Sequence, residues 1–140
     1  MRGVVALLLL AVALLSCPAS ASNVVQLNDD NFEEEVGKVA LMLVKFYAPW
    51  CGHCQHMSAA FEEAADELHD QVTSSKLAEV DATVATAVAA KYGVQGFPTI
   101  KLFESGKESK EYSGDRTRAD LVAFVKKAAA ETDEGKGPEL

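Results

Sequence analysis

Two cysteines three residues apart are the part of this chain best suited to chemistry. Cys51 and Cys54 enclose Gly52 and His53 in the motif Trp-Cys-Gly-His-Cys at residues 50–54, between a strand-like apolar segment and a helix-like segment. In that setting a Cys-x-x-Cys pair predicts a redox-active dithiol rather than half of a metal site. A helix N-terminus presents unpaired N–H groups and partial positive charge, which would stabilise the Cys51 thiolate. Because thiolates attack disulfides, the motif predicts thiol–disulfide exchange.

The histidines near the two cysteines could either assist the dithiol or help to bind zinc. As a cation, His53 would favour the neighbouring thiolate and make the disulfide a better oxidant. Cys51, Cys54 and His56 could instead supply three zinc ligands, with His69 about four helical turns further along. Since zinc usually takes four ligands and the chain has no second Cys-x-x-Cys pair, we expect no metal. His56 and His69 are then expected to be solvated helix residues.

The elements that must position this motif alternate between strands and helices. The predicted strands cover residues 24–27, 39–47, 77–82, 99–103 and 108–112, and the predicted helices cover 31–36, 51–68 and 83–92, with a last helix after 117. The central strand is predicted from a nearly continuous apolar run that only Lys45 interrupts. This order predicts an α/β fold whose parallel core carries an antiparallel edge hairpin and helices on both faces.

Local signals set the expected ends and buried faces of the helices. The N-cap candidates are Asn28 or Asp29 for the first helix, Thr83 for the third, and Thr117 paired with Asp120 for the last. Gly93 is expected just after the end of the third helix. The residues expected to be buried in the last helix are Leu121, Phe124, Val125 and Ala128.

The first 21 residues have the features of a secretory signal peptide. Arg2 supplies a positive start, residues 3–15 are almost wholly Val, Ala and Leu, and the small-residue sequence Ala-Ser-Ala ends at Ala21. The apolar run is too short to span a membrane. Cys17 follows Leu-Leu-Ser, which also fits a bacterial lipoprotein signal loosely and leaves a membrane-anchored form open.

The rest of the chain has the size of one domain. Cleavage after Ala21 would leave 119 residues, predicted to form a domain at 22–131 and a flexible polar tail at 132–140. Only two cysteines would remain, too few for a disulfide-stapled scaffold, so their dithiol is expected to be catalytic. The net charge of −8 for all 140 residues, without a basic cluster, argues against nucleic acids and anionic membranes as partners. The last two residues, Glu-Leu, match only half of an ER-retention tetrapeptide.

Four motifs in register resemble the thioredoxin superfamily, and specifically the catalytic domain of protein disulfide isomerases. They are FYAPWCGHC at 46–54, VDAT at 80–83, YGVQGFPTI at 92–100 and YSGDR at 112–116. The resemblance implies a thioredoxin fold, with a central mixed sheet flanked by helices on both faces, and protein disulfide isomerase activity without a bound cofactor. It also implies location in the endoplasmic reticulum lumen, cysteine-containing client proteins and a redox partner such as glutathione or an oxidase. Secretion remains open, because the retention signal is partial.

The same resemblance implies roles for individual residues. Cys51, expected to face solvent at the start of the helix, would attack the substrate. Cys54, expected to be shielded one turn further in, would resolve the mixed disulfide, and the two would form a disulfide when oxidised. Arg116 resembles a family arginine that can approach the resolving cysteine and tune it. The implied substrate-binding residues are Trp50, Phe97 and Pro98, with a cis peptide bond between the last two.

The chain departs from the family pattern at three positions. Lys45 stands where the family usually has a buried acid beneath the resolving cysteine. It could snorkel to solvent, or it could be a partly buried amine near Cys54 that desolvation drives toward its neutral form. Gln55 and Ala59 replace a common lysine and a common proline. Slow exchange would favour a client-binding, chaperone-like module, whereas an anchor at Cys17 would favour a periplasmic thioredoxin-like reductase.

Overall fold

A five-stranded mixed β-sheet organises residues 21–135, the part of the chain that the computed structural model describes. The strands are β1 (Val24–Leu27), β2 (Leu41–Tyr47), β3 (Ser75–Asp81), β4 (Thr99–Glu104) and β5 (Lys107–Tyr112). The helices are α1 (Phe32–Gly37), α2 (Gly52–Gln71), α3 (Thr86–Lys91) and α4 (Arg118–Glu134). The predicted element order and fold class are confirmed. Residues 1–20 of the predicted signal peptide and 136–140 of the predicted tail lie outside the described residues.

The strand order β1-β3-β2-β4-β5 places β2 at the centre of the sheet. β1, β3 and β2 run parallel, β4 is antiparallel to β2, and β5 is antiparallel to β4. Lys45 of β2 is paired with Glu79 of β3 on one side and with Ile100 of β4 on the other. The outer strands differ in character, since β1 has four residues and β5 is exposed along nearly its whole length.

The sheet separates two apolar cores, because successive strand residues point to opposite faces. The core beneath α2 and α4 includes Leu41, Leu43, Met57, Phe61, Leu77, Leu102 and Leu121. The core beneath α1 and α3 includes Phe32, Met42, Val44, Phe46, Val80 and Phe103. Along β2 the odd-numbered residues therefore face α2, the helix that carries the two cysteines.

The N-cap of the first helix lies two or three residues later than predicted. Asn28 and Asn31 bind each other across the turn: the Asn28 N–H donates to Asn31 Oδ1 at 2.8 Å, and the Asn31 N–H donates to Asn28 Oδ1 at 3.1 Å. Asn31 is the N-cap residue, its side chain makes no capping hydrogen bond to the helix, and α1 starts at Phe32. The prediction of Asn28 or Asp29 as the cap was wrong.

The third helix is capped by a residue from another loop. Thr83 does not cap it, because its hydroxyl and N–H both bind Asp81 Oδ1 in the turn that follows β3. Instead, the Val88 N–H donates to Asp29 Oδ1 at 2.9 Å, and Asp29 lies before α1. The predicted position of Gly93 after the helix is confirmed, with φ at +63°.

The last helix agrees with its predicted start and differs in its buried face. Thr117 is the N-cap and accepts a hydrogen bond from the Asp120 N–H at 3.2 Å, as predicted. Val122 is buried, whereas Phe124 is only partly buried and packs against the β5 residue Tyr112. The helix continues to Glu134, three residues into the segment predicted to be a loose tail.

Candidate active site

The two cysteines lie in the first turn of α2. Cys51 is the N-cap residue, with extended backbone angles, and its Sγ accepts a hydrogen bond from the Cys54 N–H at 3.2 Å. The Cys51 N–H donates to the Ala48 carbonyl at 3.0 Å, which fixes the loop between β2 and α2. Both cysteines are free thiols. The helix therefore offers a backbone donor to one sulfur, as expected of a thiolate site at a helix N-terminus.

Both cysteines are buried, and for Cys51 this differs from the prediction. Cys51 was expected to face solvent but is only 7% exposed, whereas Cys54 was expected to be shielded and is 2% exposed. The difference arises because the two cysteines pack with Ala48 beneath Tyr47 and Phe97, residues that join the site from β2 and from the loop before β4. Cys51 therefore offers little exposed surface to a substrate disulfide.

Burial makes Cys54 a poor acid. Desolvation, followed by the hydrogen bond with Cys51, raises the pKa of the Cys54 thiol to about 11. A backbone hydrogen bond from Ala48 and the positive charge of Lys45 act in the opposite direction and are outweighed. Cys54 is thus a protonated thiol at neutral pH, and it must lose that proton before it can act as a nucleophile.

An aromatic pair lies beside the thiols. Trp50 is 72% exposed and contacts Phe97 edge to face, with ring centroids 5.8 Å apart. Phe97 also packs against the cysteine cluster, and the Phe97–Pro98 peptide bond is cis, as the resemblance implies. These three predicted substrate-binding residues therefore form one apolar surface next to Cys51.

Lys45 is buried, so the interpretation of a lysine that reaches solvent was wrong. Its side chain is 3% exposed, and its ammonium group lies 2.8 Å from Glu79 Oε2. The same nitrogen lies 4.7 Å from the centre of the Phe61 ring. The charge of the buried amine is therefore matched by a carboxylate and an aromatic face.

Glu79 belongs to the site in the structure but is not among the predicted site residues. It is paired with Lys45 on neighbouring parallel strands, so both side chains point to the same face of the sheet. Gln26 of β1 donates from Nε2 to Glu79 Oε1 at 2.8 Å, while Lys45 holds Oε2. The alternation in β3, in which Leu77 and Glu79 share a face, was the available signal, but the register between strands was not.

A pocket of about 130 Å³ connects this ion pair to the resolving cysteine. Lys45, Glu79 and Cys54 line it together with the α2 residues Gln55 and Ser58. Gln55 also ties the helix to the preceding loop by donating to the Pro49 carbonyl at 2.9 Å. The pocket brings one thiol, one ammonium and one carboxylate to a common polar space.

Arg116, which was predicted to tune Cys54, lines a different pocket from Cys54. It is exposed and lines a shallow pocket of about 150 Å³ with His53, His56 and Met57, whereas Cys54 lines the pocket of the ion pair. His53 and His56 are both exposed on α2, as is His69 further along. The structure thus brings Arg116 to the helix that carries the cysteines, beside its histidines.

Residues 21–135 contain neither a cluster suited to a metal ion nor a helix suited to spanning a membrane. No group of three or more His, Cys, Asp or Glu side chains in this part of the chain could hold a metal ion. No helix within it is both long enough and apolar enough to cross a membrane.

Comparison with known proteins relates this site to a family. The family model described as Thioredoxin matches residues 23–127. Protein disulfide-isomerase 1 of Caenorhabditis elegans is 44% identical over 124 residues, which are 89% of this chain and 25% of the worm protein. Human protein disulfide-isomerase A6 is 44% identical over 107 residues, which are 75% of this chain and 24% of the human protein. This chain thus spans about a quarter of these relatives.

Solved structures share the same fold. The first thioredoxin domain of mouse protein disulfide-isomerase A4 superposes with a TM-score of 0.70 at 39% identity, covering 76% of both chains. Form I of human ERp44 superposes with a TM-score of 0.73 at 31% identity, covering 76% of this chain and 29% of that one.

Proposed function

Because this chain belongs to the thioredoxin family and is homologous to the catalytic domains of protein disulfide isomerases, we propose that it is a thiol–disulfide oxidoreductase acting on protein disulfides. The observation that carries the proposal is the arrangement of its two thiols. Cys51 caps α2 and accepts the Cys54 N–H, while Cys54 lies one turn deeper with a raised pKa. One cysteine is therefore suited to attack and the other to wait.

The exchange proceeds in two displacements. The Cys51 thiolate attacks one sulfur of a substrate disulfide, forms a mixed disulfide and releases the other substrate sulfur as a thiolate. Cys54 then loses its proton and attacks the Cys51 sulfur, so that the Cys51–Cys54 disulfide forms and the second substrate sulfur leaves. The substrate gains two electrons and the protein loses two. The reverse sequence oxidises a substrate dithiol, and a substrate thiolate that displaces Cys51 completes an isomerisation.

The surrounding residues support these steps. Gly52 and His53 separate the two cysteines, and an imidazolium at His53 favours the Cys51 thiolate. Trp50, Phe97 and Pro98 offer an apolar surface to polypeptide next to the reacting sulfur. Arg116 lies at the rim of the shallow pocket that it shares with His53 and His56.

We further propose where the reaction takes place and with which partners. The predicted signal peptide and the relationship to protein disulfide isomerases favour the secretory pathway, with the endoplasmic reticulum lumen as the site of action. The substrates would be cysteine-containing client proteins. Glutathione or an oxidase would exchange electrons with the dithiol, and no bound cofactor is required.

Reaction with a disulfide tests the proposal directly. Reduced protein is mixed with excess oxidised glutathione, quenched with acid at intervals and analysed by intact mass. We expect a mixed disulfide at Cys51 that decays to the Cys51–Cys54 disulfide. Cys54→Ser should form the mixed disulfide and keep it, and Cys51→Ser should form none at Cys54 at neutral pH. Failure of the unaltered chain to form any adduct would refute the proposal. A long-lived adduct on the unaltered chain would favour the client-binding alternative.

A further inference from the structure

Release of the substrate requires a group that accepts the proton of the Cys54 thiol. Cys54 is 2% exposed and protonated at neutral pH, so bulk water has little access to its proton. We propose that Glu79 accepts this proton through water in the pocket that both side chains line, while Lys45 holds the carboxylate in position. This inference rests on the proposed function and deepens it, since it assigns the proton acceptor of the second displacement.

Glu79 is the group in this pocket that is free to take a proton. The pocket is lined by one thiol, one amine and one carboxylate, contributed by Cys54, Lys45 and Glu79. The Lys45 ammonium contacts the Glu79 carboxylate and faces the Phe61 ring, and an ammonium group has no lone pair with which to accept a proton. A carboxylate beside them retains lone pairs for a proton.

The carboxylate is fixed in its orientation and open on one side. Gln26 binds Oε1 and Lys45 binds Oε2, each at 2.8 Å. The Glu79 side chain is 23% exposed, against 3% for Lys45. It can therefore receive a proton from the interior and pass it to bulk solvent, which a fully buried acceptor could do only slowly.

The space between the two groups can hold a relay of water. A volume of about 130 Å³ holds several water molecules, each of which needs roughly 10–15 Å³ on this measure. The side chains of Gln55 and Ser58 add polar partners on the wall formed by α2. Water placed here can bind the Cys54 thiol on one side and the Glu79 carboxylate on the other.

The step balances without any further reactant. The S–H proton of Cys54 moves through water to Glu79, and the sulfur keeps the electron pair. The Cys54 thiolate then forms a bond to the Cys51 sulfur, the bond from Cys51 to the substrate breaks, and the substrate sulfur leaves as a thiolate. Glu79 returns its proton to solvent, from which the substrate thiolate is protonated. Lys45 assists by lowering the pKa of Cys54 through its charge.

A substitution of Glu79 separates proton transfer from simple electrostatics, because the two roles predict opposite signs. If the carboxylate acted only by its charge, Glu79→Gln would leave the Lys45 ammonium unopposed beside Cys54, stabilise the thiolate and speed release. If it accepts the proton, Glu79→Gln should slow release about tenfold at pH 7, and release should recover as the pH rises and hydroxide takes over. The other titratable groups near the pair are Cys51, Tyr47 and Asp81, and they are unchanged in both proteins.

The experiment follows the glutathione adduct by rapid acid quench from pH 6 to pH 9, for the unaltered chain, Glu79→Gln and the double variant Lys45→Glu/Glu79→Lys. The double variant keeps a carboxylate and an ammonium in the same pocket, so its release at pH 7 should stay within about threefold of the unaltered chain. Formation of the adduct by Cys51 should change little in all three, which checks that the site remains folded. The matched control is Glu108→Gln, which breaks an ion pair to the buried Lys101 on the opposite face of the sheet.

The outcomes separate this inference from the function on which it rests. Slow release in Glu79→Gln, restored by the double variant and by high pH, supports Glu79 as the acceptor. Release that is unchanged or faster in Glu79→Gln overturns it, as does slow release in both variants, because the loss would then come from disturbing the ion pair. In each of those cases the proposed function survives, since it fails only if the unaltered chain forms no adduct.

Discussion

The backbone N–H of Cys54 points at the sulfur of Cys51, 3.2 Å away. The bond gives the Cys51 sulfur a backbone donor at the N-terminus of α2. Cys54 lies deeper, and burial raises the pKa of its thiol to about 11. The order in which the two cysteines react is therefore built into the first turn of α2.

Cys51 should be alkylated first. With limiting iodoacetamide at pH 7, we expect carboxymethylation of Cys51 to be at least about tenfold faster than that of Cys54, since the reactive species is the thiolate. Peptide mapping by mass spectrometry measures the ratio. Labelling that favours Cys54 would reverse the assignment of attacking and resolving cysteines.

The pH at which Cys54 becomes reactive should be unusually high. In Cys51→Ala, burial, the largest cause of the raised pKa, remains in place. The thiol should thus stay protonated at pH values where an exposed cysteine is already ionised, and its alkylation rate should keep rising from pH 9 toward pH 11. The same variant in concentrated urea is the reference. Identical pH profiles in the folded and unfolded protein would show that burial does not hold the proton on Cys54.

Trp50 should matter for peptide substrates and little for small ones. Removing its exposed ring in Trp50→Ala should slow reaction with a disulfide-bonded peptide about three- to tenfold, the effect of roughly 1 kcal/mol of lost contact. Reaction with hydroxyethyl disulfide, which is too small to span the aromatic surface, should change little. Val84→Ala is the matched control, because Val84 is also 72% exposed. Equal slowing with both substrates would show that Trp50 affects the reactivity of the Cys51 thiol rather than the binding of peptide.

The cap that Asp29 provides for α3 should contribute to stability. Asp29→Ala removes the acceptor of the Val88 N–H and should lower the free energy of unfolding by about 1 kcal/mol. Urea denaturation followed by circular dichroism measures the loss. The neighbouring substitution Asp30→Ala serves as the control and should cost less than half as much. If the two variants are equally stable, the hydrogen bond from the Val88 N–H to Asp29 adds nothing to the free energy of unfolding beyond what a hydrogen bond to water would give.

The fold could be predicted from the sequence because its signals are local. The apolar run of β2 and the helical spacing of Met57 and Phe61 in α2 each lie within one element, and their order sets the sheet. The helix starts were less accurate, since Asp29 caps α3 from a loop far away in sequence. Such a cap depends on the tertiary fold that it helps to hold.

The site was predictable in its chemistry and less so in its surroundings. The cysteine spacing identifies the dithiol, but the cover over Cys51 comes from Phe97, and the partner of Lys45 comes from β3. Neither contact follows from spacing along the chain, because each depends on strand register and loop path. For that reason the sequence left open whether Lys45 reaches solvent, and the structure decided it.

The outer strands of the sheet limit how this protein can meet an unfolded polypeptide. Along β5, lysines and glutamates such as Lys107, Glu108, Lys110 and Glu111 cover the free edge, and β1 at the opposite edge offers only four residues. An extended chain that paired with β5 would have to strip water from those charges, and one that paired with β1 would gain few hydrogen bonds. Within residues 21–135 the two sheet edges are thus poor templates for aggregation. This suits a protein whose proposed substrates are incompletely folded chains with exposed apolar segments.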